Sequence, residues 1–261
     1  MSSPPKMSAD SIERYARHLV LKEIGGPGQQ ALRAAKIAVI GAGGLGGPAG
    51  LYLAAAGIGQ ITLIDDDIIE LSNLQRQVQF TTNDIGRSKA EIMAQRLTAL
   101  NPDSKASAVT ERLSIENAQS LLAGHDIVVD GVDSFETRFA INEACLALGQ
   151  PLVSGALGRF NGQVSVFAQQ ASKAVPPNTP CYRCLVTEIP PEAETCAAVG
   201  VIGALAGIIG SAMAAEVIKL VTGAGEPLIG RLWLYDGLRA QSRTIVLPRD
   251  PKCPACAKPS A

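Results

Sequence analysis

The sequence predicts an α/β fold: a mostly parallel sheet with helices on both faces, continued by antiparallel strands and a metal-pinned C-terminal tail. Three observations predict it. First, short unbroken apolar runs such as Ile37-Ala38-Val39-Ile40 alternate with stretches at helical spacing, the pattern of parallel strands buried on both faces. Second, after residue 158 the pattern becomes the apolar–polar alternation of hairpin strands, at residues 163–168 and 231–235, with 244–247 similar. Third, one Cys-x-x-Cys pair lies in the middle of the chain and another at its end.

Taken in order, residues 8–23 place Ile12, Tyr15 and Leu19 at helical spacing after a Ser8 or Asp10 cap, which predicts an N-terminal helix extending to about residue 24. The strand at 37–40 runs into a glycine loop and a helix over 45–56. A second strand, Ile61-Thr62-Leu63-Ile64, ends in Asp65-Asp66-Asp67. A helix is expected over 89–100, stopped by Asn101-Pro102, then strands at 106–110 and 127–130, a helix at 137–148 and a strand at 151–154. Residues 171–180 are polar and Pro-rich, a loop. No internal repeat is present. One continuous domain is expected, with a nucleotide-binding part at about 33–158 and a partner- and metal-binding part at about 159–257.

Lys and Arg total 23 against 24 Asp and Glu, a balance that gives no electrostatic footprint for nucleic acid or an anionic membrane. The N-terminus carries no apolar segment of signal-peptide length, so the expected location is the cytoplasm. Residues 197–215 lack any charge, but Ala and Gly dominate them and transfer to lipid would gain little. They are expected to form a buried helix, with Gly203, Gly207 and Gly210 allowing close backbone approach.

Gly41-Ala42-Gly43-Gly44-Leu45-Gly46 sits between a predicted strand and a predicted helix, the context in which this pattern carries meaning. The first glycine permits the tight turn, the second lets backbone N–H groups approach phosphate, and the third lets helix and strand pack closely. A helix N-terminus then offers unpaired donors to an anion. Asp65, at the end of the next strand, is placed to accept from ribose hydroxyls. These features identify a Rossmann-like nucleotide site without choosing between NAD and ATP.

Cys181-x-x-Cys184 and Cys253-x-x-Cys256 have the spacing of a four-thiolate zinc site. Two disulfides or a redox pair are the alternatives, the former disfavoured in the cytoplasm. Four sulfurs complete the coordination of zinc, so the ion is expected to be structural. Cys145 falls in an apolar helical pattern and reads as core. Cys196 follows a polar segment and precedes the apolar helix, where it is either a nucleophile or a spectator.

With these pieces assembled, the chain resembles the ThiF/MoeB/HesA family, the bacterial relatives of ubiquitin-activating enzymes. The resemblance runs from about Tyr15 to Cys256. It rests on Tyr15-Ala16-Arg17, the glycine loop, Leu71-Ser72-Asn73-Leu74-Gln75-Arg76-Gln77, Gly86-Arg87-Ser88-Lys89, Val129-Asp130-Gly131-Val132-Asp133 and Pro180-Cys181-Tyr182-Arg183-Cys184. The Cys pattern and N-terminal stretch are most similar to the MoeB branch.

The resemblance implies ATP-dependent adenylation of the C-terminal glycine of a ubiquitin-like sulfur carrier, MoaD-like or ThiS-like, with release of pyrophosphate. Two anions must meet in that reaction, so cations are needed to offset the repulsion. By family position, Arg76 and Lys89 hold the phosphates, with Asn73 and Gln77 beside them. Asp133 holds Mg²⁺, and Asp65 takes the ribose, with Asp67 close behind. Arg17 reaches the site of a second copy in a homodimer. Ser134 stands where the family usually has Asn, which keeps a capping hydroxyl but loses an amide. No rhodanese-like extension follows the second Cys pair, so a separate sulfur donor is expected. An NAD-dependent oxidoreductase, which leaves Arg76, Lys89 and the Cys pairs unaccounted for, and a non-enzymatic zinc-stabilised scaffold for a ubiquitin-like partner are the alternatives.

Overall fold

The computed structural model of the chain describes residues 7–168, 178–189 and 200–257. Eight strands form one sheet in the order β3-β2-β1-β4-β5-β6-β7-β8, where β1 is Lys36–Ile40, β2 Gln60–Ile64, β3 Lys105–Val109, β4 Ile127–Asp130, β5 Leu152–Leu157, β6 Asn161–Phe167, β7 Arg231–Asp236 and β8 Gln241–Val246. The first five are parallel, and β6, β7 and β8 join antiparallel. From β1 the chain moves outward through β2 and β3, then returns to β4 on the other side. That reversal opens a crevice beyond the carboxyl ends of β1 and β4.

Alternation along the strands divides the interior in two. Ile37 and Val39 of β1 and Val129 of β4 face one core with Leu32, Leu53, Met93, Leu97, Ile209 and Met213. These come from helices α3 (Gly25–Ala34), α4 (Gly46–Ala55), α5 (Lys89–Leu100) and α9 (Gly203–Thr222). Ala38, Ile40 and Val128 face the other core with Leu122, Ile141, Cys145 and Tyr182, from α6 (Ala118–Leu122), α7 (Phe135–Leu148) and α8 (Tyr182–Leu185). Cys145 is thus a core residue as expected, its thiol pushed up by burial. Caps set the ends: the Ser88 and Ser134 hydroxyls accept from Glu91 and Thr137 N–H groups, and α7 stops at Gly149 with φ +66°.

Two expectations are corrected and one helix is added. Residues 8–23 do not form one helix: α1 (Ala9–Arg14) and α2 (Ala16–Leu19) are separated at Tyr15. The Tyr15 ring is buried against the Gly57 backbone and its hydroxyl accepts from Asn101 Nδ2 at 2.8 Å, so tertiary contacts override the helical register. Ser8 is the cap. Helix α3, where no element is expected from the sequence, starts at Gly25-Gly26-Pro27-Gly28; Pro27 sits in its first turn, where no N–H is needed.

The apolar helix occupies Gly203–Thr222 and continues past the charge-free window. Glu216 is accommodated inside by the Leu228 N–H at 2.7 Å and by pairing with Lys219. Among the described residues α9 alone is long and apolar enough to cross a membrane, and here it packs on α3, α4, β5 and β6. A Cβ at Gly203 would lie 2.1 Å from Gln75 O and one at Gly210 2.6 Å from Leu45 O, whereas Gly207 meets nothing within 4 Å. Close approach therefore explains two of the three glycines.

A paired substitution follows. Gly210→Ala should lower stability by about 2 kcal/mol through overpacking against the α4 backbone. Gly207→Ala should raise it by up to ~1 kcal/mol through helix propensity alone. Urea denaturation of the two variants measures both signs.

Candidate nucleotide site and cysteine cluster

The crevice between β1 and β4 holds a cavity of ≈ 620 Å³. Its floor is the glycine loop. Gly41 turns at φ +83°, and a Cβ there would press on the Gly131 carbonyl at 3.1 Å. A Cβ at Gly46 would lie 1.8 Å from Gly41 O, so only glycine closes this turn. Gln79 Nε2 donates to the carbonyls of Ala42 and Gly43 at 2.8 and 3.1 Å, holding the loop from behind. Asp65 braces it in front: Oδ2 accepts from Ala42 N–H at 2.6 Å and Oδ1 from Asp67 N–H at 2.9 Å. Burial raises the Asp65 carboxyl above its ordinary value, against the pull of those two N–H groups and of Lys89.

The opposite wall gathers cations and amides. A 3-10 turn, Leu71–Asn73, presents Asn73, whose Oδ1 accepts from Glu70 N–H at 3.2 Å. Arg76 Nη1 donates to Ser72 O at 3.1 Å, leaving other guanidinium donors toward the cavity it lines. The backbone beside it is fixed by Gly203 of α9, which packs on Gln75 O. Buried Gln77 has an Oε1 with no hydrogen-bond partner, an acceptor that a bound ligand can satisfy. Lys89 Nζ pairs with Asp67 Oδ2 at 2.7 Å; the Lys89 side chain is 8% exposed and that of Asp67 67%. The ammonium is thus held inside by a partner at the water's edge. Asp133, exposed, and Ser134 border the third side, after β4.

Of the residues singled out in the sequence, Gly41, Gly43, Gly44, Asp65, Asp67, Asn73, Arg76, Gln77, Lys89, Asp133 and Ser134 all line this one cavity. Gly46 lies beneath the turn and shapes it. Arg17 is exposed on α2 and does not line the cavity of its own chain. Cys196 lies outside the described residues.

Sequence reasoning missed Arg112, Arg138 and Gln163, which also border the cavity. Arg138 carried a signal: it is a charged residue directly before the apolar Phe139-Ala140-Ile141 of α7, five residues after Asp133. Gln163 carried none, because its place depends on how β6 folds back along β5.

The four cysteine sulfurs, Cys181, Cys184, Cys253 and Cys256, all lie within 4.8 Å of one another. Cys181 and Cys253 are 3.6 Å apart and Cys184 and Cys256 3.5 Å, far beyond a disulfide bond and close to the ~3.8 Å edge of a tetrahedron built on ~2.3 Å zinc–sulfur bonds. The Cys184 thiol is lowered to about 5 by its hydrogen bond with Cys181, while Cys181 is raised by the same bond and by burial. The donor set suits a soft, tetrahedral cation and leaves no open position. Cys181 and Cys253 belong to different segments, so the cluster ties the tail to the start of α8. Tyr182, between two of the cysteines, is itself in the wall of the nucleotide cavity.

A larger cavity of ≈ 820 Å³ opens beside the first, along β5 to β8, and shares Ala156, Leu157 and Gln163 with it. Its walls contain no lysine, and its charged residues are Asp236, Arg239 and Arg243. The smaller cavity, with the glycine loop and the buried ammonium, is therefore the chemical site despite its size.

A model of the ThiF family matches residues 15–255. The sulfur carrier protein adenylyltransferase of Thermus thermophilus is 44% identical over 253 residues, covering 96% of this chain and 93% of that protein. The sulfur carrier protein ThiS adenylyltransferase of Escherichia coli is 42% identical, covering 98% and 99% of the two chains. Among solved structures, Escherichia coli MccB with MccA-N7isoASN superposes with a TM-score of 0.81 at 23% identity, covering 97% of this chain and 76% of that one, a likeness of fold. Matched by the family model over most of its length, and more than 40% identical to relatives that it covers almost end to end, this chain belongs to the ThiF family.

Proposed function

We propose that the chain is an ATP-dependent adenylyltransferase that activates the C-terminal glycine carboxylate of a ubiquitin-like sulfur-carrier protein and releases pyrophosphate. One observation carries the reading: the crevice pairs a glycine turn and ribose-side acid with Lys89 and Arg76 on the facing wall. A nicotinamide site needs the first half. Transfer of an adenylyl group, with pyrophosphate leaving, calls for the second.

In this reading the backbone of the glycine loop and the start of α4 receive the phosphates. Asp65 keeps one oxygen on Ala42 N–H and accepts ribose hydroxyls with its remaining lone pairs. Lys89 exchanges Asp67 for the phosphates, a low-cost exchange because Asp67 is left in water. Arg76, Asn73 and Gln77 offset and orient charge beside it, with Gln77 Oε1 finding the partner it lacks. Asp133 is a hard oxygen donor suited to Mg²⁺, whose role would be to neutralise phosphate charge. The carrier's tail enters from the β5–β8 side, where the larger cavity joins the smaller at Ala156, Leu157 and Gln163. Its carboxylate attacks the α-phosphate, and the P–O bond to the leaving pyrophosphate breaks.

The four cysteines hold structural Zn²⁺. The reading is of a homodimer in which Arg17 of one copy completes the site of the other, an arrangement supported by its exposure and its absence from its own cavity. It is also of a single adenylation domain in the cytoplasm, where four thiols stay reduced, with sulfur supplied by a separate donor. The carrier is of the molybdopterin or the thiamin pathway.

Carrier-dependent ATP–pyrophosphate exchange tests the assignment. Lys89→Ala should reduce it by a factor of roughly 100 or more, with little change in melting temperature since the partner it abandons is exposed. Equal exchange in the variant would favour a non-enzymatic scaffold; no exchange in the wild type, with nicotinamide binding instead, would favour an oxidoreductase.

ATP affinity should depend on pH through Asp65. Its carboxyl is raised above the ordinary value, and binding needs the ionised form, so affinity is full above that raised value and falls as pH drops through it. Calorimetry across the acid range should show this limb in the wild type and not in Asp65→Asn.

Native mass spectrometry should find one zinc per chain. Its removal by a strong chelator should lower the melting temperature by roughly 10 °C and weaken ATP binding, since Tyr182 lies between Cys181 and Cys184 in the chain and in the cavity wall.

A further inference from the structure

Behind Asp133 lies a buried charged pair that no step above uses. Arg138, on the first turns of α7, is buried and turns back beneath its own helix. Nη1 donates to Asp130 Oδ2 and to Ser154 Oγ, both at 3.1 Å. Nη2 donates to the carbonyl of Gly155 at 2.8 Å and to that of Val132. Asp130 in turn accepts from Ser154 Oγ at 2.7 Å and from Val132 N–H at 3.1 Å. The ring of Tyr182 lies 5.8 Å from the guanidinium and closes the far side.

Two properties separate this arrangement from an ordinary core ion pair. Both backbone polar groups of Val132 are claimed: its N–H by Asp130 and its carbonyl by Arg138. Val132 immediately precedes Asp133. The segment it belongs to also presses on the glycine loop, since a Cβ at Gly131 would lie 2.9 Å from Gly46 N. The guanidinium therefore joins the ends of β4 and β5 to the one loop that touches both the phosphate-binding turn and the exposed carboxylate. All four Nη hydrogens are spent on the protein, so these donors act by holding the fold and not on a ligand.

We propose that Arg138 is a positioning residue of this site, which fixes segment 131–134 through Val132 and so sets Asp133 and the glycine loop in register for the nucleotide. The proposal rests on the adenylation reading for what is bound, but not for the clamp itself. Lysine is the informative replacement. It preserves a cation for Asp130 but cannot hold Val132 O and Gly155 O together.

In Arg138→Lys, amide hydrogen exchange across 131–134 should accelerate at least tenfold, beyond any change in the β-strand cores. The affinity for ATP measured by calorimetry with Mg²⁺ present should fall roughly tenfold, the scale of a lost charged hydrogen bond. A uniform loss of stability would raise exchange everywhere and leave the affinity of the folded fraction intact. Should Arg138→Lys not fold, Ser154→Ala loosens the same clamp from β5 and should give the same pattern at about threefold. A folded Arg138→Lys, or failing that a folded Ser154→Ala, with wild-type exchange at 131–134 and wild-type ATP affinity overturns the proposal. If the wild type binds no ATP, the functional reading fails separately, while hydrogen exchange still decides the clamp.

Discussion

The site depends on how closely backbone approaches backbone at the glycine loop. Gly46 packs on Gly41 O, Gly131 on Gly46 N, and Gly210 of α9 on Leu45 O, each at a separation that leaves no room for a Cβ. These contacts bring β1, β4 and α9 together around a single turn. Everything that carries charge is then hung on the periphery of that turn: Asp65 on Ala42 N–H, Asp133 one residue beyond Val132, Arg76 one residue beyond Gln75 O, where Gly203 rests. Moving one of these backbones would shift several site residues together, so the glycines are best understood as a shared spacing element.

Electrostatically the cavity is arranged to be cheap to occupy. A lysine 8% exposed is costly to bury alone, and Asp67 relieves that cost from the water's edge. Asp65 is desolvated, which raises its carboxyl, but it already holds two N–H donors that oppose that rise. The buried charges Asp130 and Arg138 are instead paired with each other and held by Ser154 and the backbone, with Arg138 reaching the cavity wall.

Much of this was legible in the sequence because it is local. The strand–glycine–helix order, Asp65 at the end of β2, the bounds of α5 between Ser88 and Asn101, and the paired cysteines all follow from short-range patterns. What stayed hidden depends on distant contacts. Tyr15 breaks the N-terminal helix because its ring meets Gly57 and Asn101. Helix α3 forms from a glycine-rich stretch because Leu32 and Gln29 are buried by the rest of the fold. Gln163 reaches the cavity only once β6 pairs antiparallel with β5. Arg138 was visible as an oddity in α7, but its task could be read only after Val132, Ser154 and Gly155 were placed around it.

The central claim is that a partner's carboxylate takes the adenylyl group of ATP in this crevice. Following the α-phosphate tests it most directly. With ATP labelled at the α-phosphate and a purified carrier ending in Gly-Gly, the label should appear on the carrier as an acid-stable adenylate, while label at the γ-phosphate leaves in pyrophosphate. A carrier that stays unlabelled while ATP is hydrolysed to ADP, or ATP left untouched, would contradict the account.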